Sequence, residues 1–117
     1  MHLVTLQDWS SADVADVIER SLEVKRDPKR FAGALAGRSL AMLFQKTSTR
    51  TRCAGEIGMA QLGGHAMYMD WRNTNFALAD LGDEIRVLSR YADLLVVRLI
   101  EKGTRDKQNG LVSKIGK

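Results

Sequence analysis

Apolar positions along this chain follow two rhythms, one suited to helices and one to buried strands. Val14, Val17, Ile18 and Leu22 recur at offsets of three, four and eight residues, which lines a single helical face. The Ser10-Ser11-Ala12-Asp13 segment before them has the form of a helix start, a small hydroxyl with a carboxylate in the first turn. Pro28 and the Gly33/Gly37 pair end that helix and mark a connector. Residues 39–44, SLAMLF, form a short continuous apolar run, the pattern of a strand buried on both faces.

A polar stretch, Gln45-Lys46-Thr47-Ser48-Thr49, follows directly, and then Cys53, Ile57 and Ala60 keep helical spacing as far as Gly63-Gly64, a fitting stop. Gly55 and Gly58 lie inside this second predicted helix. Each costs about 1 kcal/mol against alanine, and close backbone packing is the expected compensation. Residues 65–69 (HAMYM) read as a second strand and 71–79 as a loop. Leu81, Ile85 and Leu88 mark a third helix, and 94–100 (LLVVRLI) a third strand. A long helix followed by strand, helix, strand, helix, strand predicts an α/β fold. The form expected is a three-layer parallel sheet with helices on both faces, joined by right-handed crossovers. Residues 1–100 make one domain in this reading. Residues 101–117, where the apolar pattern collapses, make a basic tail.

Composition narrows the function classes. A chain of 117 residues, 44% apolar and 27% charged, has the length and balance of one globular domain. No apolar run approaches the roughly 18 residues of a membrane helix, and residues 1–10 lack a signal-peptide layout; a cytoplasmic protein without membrane partners is expected. Cys53 is the lone cysteine and His2 and His65 the only histidines, so neither an internal disulfide nor a metal site is expected. No cofactor is implied either. The net charge of +4 raises the question of nucleic acid. Acidic and basic side chains balance up to Glu101, and the excess comes from Lys102, Arg105, Lys107, Lys114 and Lys117 against Asp106. A terminal charge excess without interleaved aromatics reads as a solvated tail rather than a nucleic-acid arm.

The chemistry is concentrated in residues 44–52, Phe44-Gln45-Lys46-Thr47-Ser48-Thr49-Arg50-Thr51-Arg52. They lie where a buried strand hands over to a helix, the usual ligand edge of a parallel sheet. With Ser48 as N-cap, the first-turn N–H groups and the positive end of the helix dipole point outward and form an anion site. Ser48, Thr49 and Thr51 add hydroxyls, and Arg50 is suited to gripping a phosphate with two parallel bonds. Neither GxxxxGK[ST] nor GxGxxG is present, which argues against a nucleotide triphosphatase or a dinucleotide fold. On spacing alone, a well-capped helix whose arginines are solvated or paired with Glu56 accounts for the segment equally well.

FQKTSTRTR resembles the F-x-K-x-S-T-R-T-R motif of the aspartate/ornithine carbamoyltransferase family. The similarity continues through Glu56, LGGHA at 62–66, and Asp83 with RVLSRY at 86–91 and Ala92-Asp93, ending at Arg98. LGGHA and RVLSRY are typical of the ornithine branch. The resemblance implies the carbamoyl-phosphate-binding domain of a transferase in amino-acid metabolism, with arginine biosynthesis as its setting. It also implies a homotrimer. By the same resemblance Ser48, Thr49, Arg50 and Thr51 hold the phosphate of carbamoyl phosphate. Thr51 also reaches the carbamoyl oxygen and Arg98 polarises it, while Arg52 and Glu56 support the loop.

Three features depart from the family pattern. Gln45 stands where an acidic residue is usual. Residues 71–81 read WRNTNFALADL in place of a Q-L-G-R-G-E-S-type loop, so the amine co-substrate stays open. No histidine follows Arg98, where the family has a His-Pro-x-Gln segment and then a second domain for the amino acid. The expectation is a domain whose last part is missing, which binds carbamoyl phosphate or phosphate but does not turn over by itself. The alternative is a phosphate-binding or regulatory module without transferase activity.

Overall fold

The computed structural model describes residues 2–74 and 80–98. Helix α1 spans Ser11–Arg26. Its start is a reciprocal capping box, in which the Asp13 backbone N–H donates to Ser10 Oγ and the Ser10 N–H to Asp13 Oδ2, both at 3.1 Å. Lys25 and Arg26 in the last turn complement the helix dipole. The apolar face predicted for this helix forms, but Val17, Ile18 and Leu22 on it stay exposed. A 3-10 turn, Pro28–Phe31, follows.

The central layer is strand β1, Ser39–Phe44, with β2, His65–Asp70, on one side and β3, Leu94–Arg98, on the other, all parallel. Five of the six β1 residues are buried, as its unbroken apolar run requires. Alternation along β1 sends its side chains into two cores. Leu40, Met42 and Phe44 pack with Met59 of helix α2, Thr49–Gln61, whereas Ala41 and Leu43 pack with Ile85 and Leu88 of helix α3, Leu81–Tyr91. Helices therefore cover both faces of a parallel sheet, the three-layer α/β arrangement expected. The described part of the third strand ends at Arg98; residues 99–100 and the tail 101–117 lie outside the described residues.

One helical face differs from expectation. Cys53, Ile57 and Ala60 keep their spacing but point to solvent, and α2 meets the sheet through Gly55 and Met59 instead. The reason is steric: a Cβ on Gly55 would run into the Met42 sulfur. The missing side chain is what lets helix and strand approach. Gly58, by contrast, has nothing within 4 Å of where its Cβ would lie, so close packing does not account for it. Gly63, at φ +85°, adopts the left-handed conformation that ends α2.

Candidate functional site

Strand order β2-β1-β3 has a direct consequence for where a ligand fits. From β1 the chain crosses over α2 to one neighbour, then returns over α3 on the opposite face to the other. The crevice between the carboxyl ends of β1 and β3 is therefore the switch point of the sheet, where open α/β folds take ligands. Phe44 and Arg98 are register partners at that end, and the Gln45 N–H donates to the Arg98 carbonyl at 3.0 Å. The loop carrying Ser48 is thus tied to the strand carrying Arg98.

Three of the expected site residues come together there. Arg98 Nη1 donates to Ser48 Oγ at 2.7 Å and to Thr51 Oγ1 at 3.1 Å, and Ser48 Oγ donates to Thr51 Oγ1 at 3.0 Å. Thr51 Oγ1 accepts twice in this cluster, which leaves its own proton for an incoming acceptor. Ser48 occupies the N-cap position of α2 in an extended conformation, φ −147° and ψ 92°, yet its side chain makes no capping bond. This corrects the expectation of a hydroxyl cap: the hydroxyl is spent on Thr51 and Arg98. The first-turn N–H groups of Thr49, Arg50 and Thr51 gain no acceptor from it.

Thr49 and Arg50 are exposed in the first turn. The Arg50 side chain has no ion pair or hydrogen bond among the described residues, which leaves its guanidinium free to swing onto an anion. Arg52 and Glu56 pair as expected, Nε to Oε2 at 3.4 Å. Sequence reasoning missed the third member of that group, Tyr68, whose ring lies 4.0 Å below the Arg52 guanidinium carbon. Tyr68 alternates with Ala66 on the β2 face toward α2, and this period of two was the available signal.

Electrostatically the edge is cationic. Its described acid, Asp70 at the end of β2, is already engaged: the Arg72 guanidinium bonds it at 2.9 and 3.2 Å, and the Arg72 backbone N–H at 2.9 Å. These contacts hold its carboxyl below the usual range, the side-chain bond from Arg72 contributing most. Among the described residues the Arg98 guanidinium meets only hydroxyls. Those neutral partners hold it in place without neutralising its charge, which equips the edge to take an anion and to stabilise developing negative charge on an oxygen. Among the described residues no cluster of His, Cys, Asp and Glu is arranged to hold a metal ion.

Comparison with known proteins places the fold in a family. The ornithine carbamoyltransferase of Mycolicibacterium paratuberculosis is 42% identical over 102 residues, covering 86% of this chain and 33% of its own. The catabolic ornithine carbamoyltransferase of Halobacterium salinarum is 37% identical over 101 residues, covering 86% and 34%. Among solved structures, ornithine carbamoyltransferase from Pyrococcus furiosus superposes with a TM-score of 0.79 at 32% identity, over 97% of this chain and 36% of that one. An N-acetyl-L-ornithine transcarbamylase superposes at 0.80 and 29% identity, over 98% and 39%. The chain thus spans about a third of the length of the relatives it matches. The family model described as aspartate/ornithine carbamoyltransferase, carbamoyl-P binding domain, matches residues 1–113, and the chain belongs to that family.

Proposed function

We propose that this chain takes carbamoyl phosphate at the N-terminus of α2 and supplies the carbamoyl-donor half of a transfer to an amine. In this reading Ser48, Thr49, Arg50 and Thr51 grip the phosphate, using their first-turn N–H groups, their hydroxyls and the Arg50 guanidinium. Arg98, with the Thr51 hydroxyl, faces the carbamoyl oxygen. The amine attacks the carbamoyl carbon, charge grows on that oxygen, and fixed cationic donors stabilise it more in the transition state than in the ground state. The C–O bond to phosphate then breaks, and inorganic phosphate leaves from a site built to hold it. The observation that carries the reading is Arg98, oriented by the Ser48 and Thr51 hydroxyls and paired with no carboxylate among the described residues.

Ornithine is the proposed acceptor class, because the relatives are named for it. Arginine synthesis is the proposed setting, within a cytoplasmic homotrimer. Among the described residues no helix is long and apolar enough to cross a membrane. Holding an amine in near-attack geometry supplies several kcal/mol of such a barrier, and this chain spans about a third of the length of its relatives. These 117 residues assayed by themselves are therefore expected to bind the donor without forming citrulline. Titration calorimetry with carbamoyl phosphate and with inorganic phosphate tests the site. Wild type is expected to bind both, and Arg50→Ala to weaken both by about tenfold or more, the loss of a charge-assisted bond. Equal binding by the two proteins would sink the assignment. Sedimentation showing only monomer at micromolar concentration would count against the trimer.

A further inference from the structure

We infer that Tyr68 is a positioning residue for this anion site, acting through Arg52; the inference rests on the phosphate reading above. It starts from the unused cap. The first turn of a helix is where fraying begins, and α2 has lost its side-chain cap because Ser48 Oγ serves Thr51 and Arg98. The bonds from Ser48 and Arg98 hold the Thr51 hydroxyl itself, and the backbone of the turn gains a further anchor just beyond it. Arg52 follows Thr51 directly, and its guanidinium carbon stacks 4.0 Å from the Tyr68 ring centroid. Glu56, one turn on, steadies the same guanidinium at 3.4 Å.

The ring also has a second contact. Tyr68 meets Phe44 edge-to-face, with centroids 5.4 Å apart and planes at 84°. Phe44 is fully buried, ends β1 and is the register partner of Arg98. One aromatic ring on β2 therefore touches both the helix turn that presents Thr51 and the strand end beside Arg98. The distance between those two groups is what the site depends on. Arg52 fits this role better than a lysine would, since a planar guanidinium stacks on an aromatic face and bonds a carboxylate at its edge at the same time.

The test is phosphate calorimetry and urea unfolding on five full-chain proteins: wild type, Tyr68→Phe, Tyr68→Leu, Arg52→Met and the double variant that combines Tyr68→Leu with Arg52→Met. Tyr68→Phe keeps the ring and is expected to bind within about twofold of wild type, since the ring face is what the cation meets. Tyr68→Leu and Arg52→Met are each expected to raise the phosphate Kd about three- to fivefold, the scale of a half-exposed cation–π contact. The double variant should be no weaker than either single one. Arg52→Met leaves the Phe44–Tyr68 packing intact, so a loss it shares with Tyr68→Leu is not a packing effect. Urea midpoints that fall while the Kd stays constant would overturn the inference, because that is the signature of a merely structural ring. The Arg52 Nε–H resonance gives a readout independent of ligand. It should lie upfield in wild type and Tyr68→Phe and move downfield in Tyr68→Leu, and an unmoved signal would overturn the tether. Failure of wild type to bind any phosphate would instead sink the site reading, and the tether would then stand or fall on the Arg52 signal.

Discussion

Strands β1 and β3 are clasped by an arginine at each end, and the two clasps are built differently. At the amino ends Arg38 Nη1 donates to Asp93 at 3.1 Å. The same carboxylate accepts from the Ser39 N–H at 2.9 Å, and the Asp93 N–H returns a bond to the Ser39 carbonyl at 3.1 Å. The Ser39 N–H first, and then Arg38, hold the Asp93 carboxyl below its ordinary range. At the carboxyl ends the partners of the Arg98 guanidinium among the described residues are the hydroxyls of Ser48 and Thr51. A guanidinium closed on a carboxylate has finished its electrostatic work and serves as a tie. One oriented by neutral acceptors keeps its charge for a ligand. The two ends share a ladder and a residue type, and the difference in function lies in the partner.

Converting one clasp into the other is the severest way to break this contrast. Ser48→Asp sets a carboxylate against Arg98 and is expected to weaken phosphate binding by about 10- to 100-fold, the value of one or two charge-assisted bonds. Thermal stability should hold or rise slightly, because aspartate is also a good N-cap. Calorimetry and a melting curve check both halves, and retained affinity would mean that Arg98 does not carry the site. Asp93→Asn addresses the other clasp. It is expected to lower the melting temperature by a few degrees while leaving phosphate affinity unchanged.

The same clasp sets a pH dependence. The Asp93 pKa is depressed in the fold, so its contribution is complete above the ordinary carboxylate pKa and is lost as pH falls through the lowered folded value. In wild type stability should decline in that acid window, and in Asp93→Asn the decline should be shallower. Urea midpoints measured between neutral and acid pH decide it. Two glycines of α2 test the helix that leans on β1. Gly58→Ala, with open space at its Cβ, is expected to stabilise by up to about 1 kcal/mol through helix propensity. Gly55→Ala must displace Met42 and is expected to cost about 1–3 kcal/mol. A reversed order in urea unfolding would mean that Gly55 is not what brings α2 onto β1.

How much of this was legible in the chain depends on the kind of signal. The strand at 39–44 was plain, because the unbroken apolar run at 40–44 after a connector is too short for a buried helix. The crossover order followed from alternation. The loop chemistry was also legible, since hydroxyls and arginines at a helix start advertise donors. The face of α2 was not. Cys53, Ile57 and Ala60 have the correct period, but periodicity does not reveal which stripe faces inward when the buried contact is made by a glycine. The hidden choice at Ser48 was of the same kind. A serine before a helix reads as a cap unless an arginine from a strand 50 residues later is known to compete for its hydroxyl. Tyr68 escaped for a third reason: its value lies in a pairwise contact with Arg52, which neither residue announces alone.

The central place of β1 has one more consequence, which concerns the order of events as the chain is made. Both neighbours of β1 come later in sequence, and β3 comes last, tied to Ser39 across 54 residues and to Ser48 across 50. A nascent chain can pair β1 with β2 while Arg98 is still being synthesised, but the long loop between β1 and β3 must close before those contacts contribute. Until then one edge of the most apolar strand is bare, the interval in which such chains aggregate. Among the described strands, the cluster of Ser48, Thr51 and Arg98 is therefore the last to be assembled. On the function proposed above, phosphate binding only the finished arrangement would draw late intermediates toward the native state.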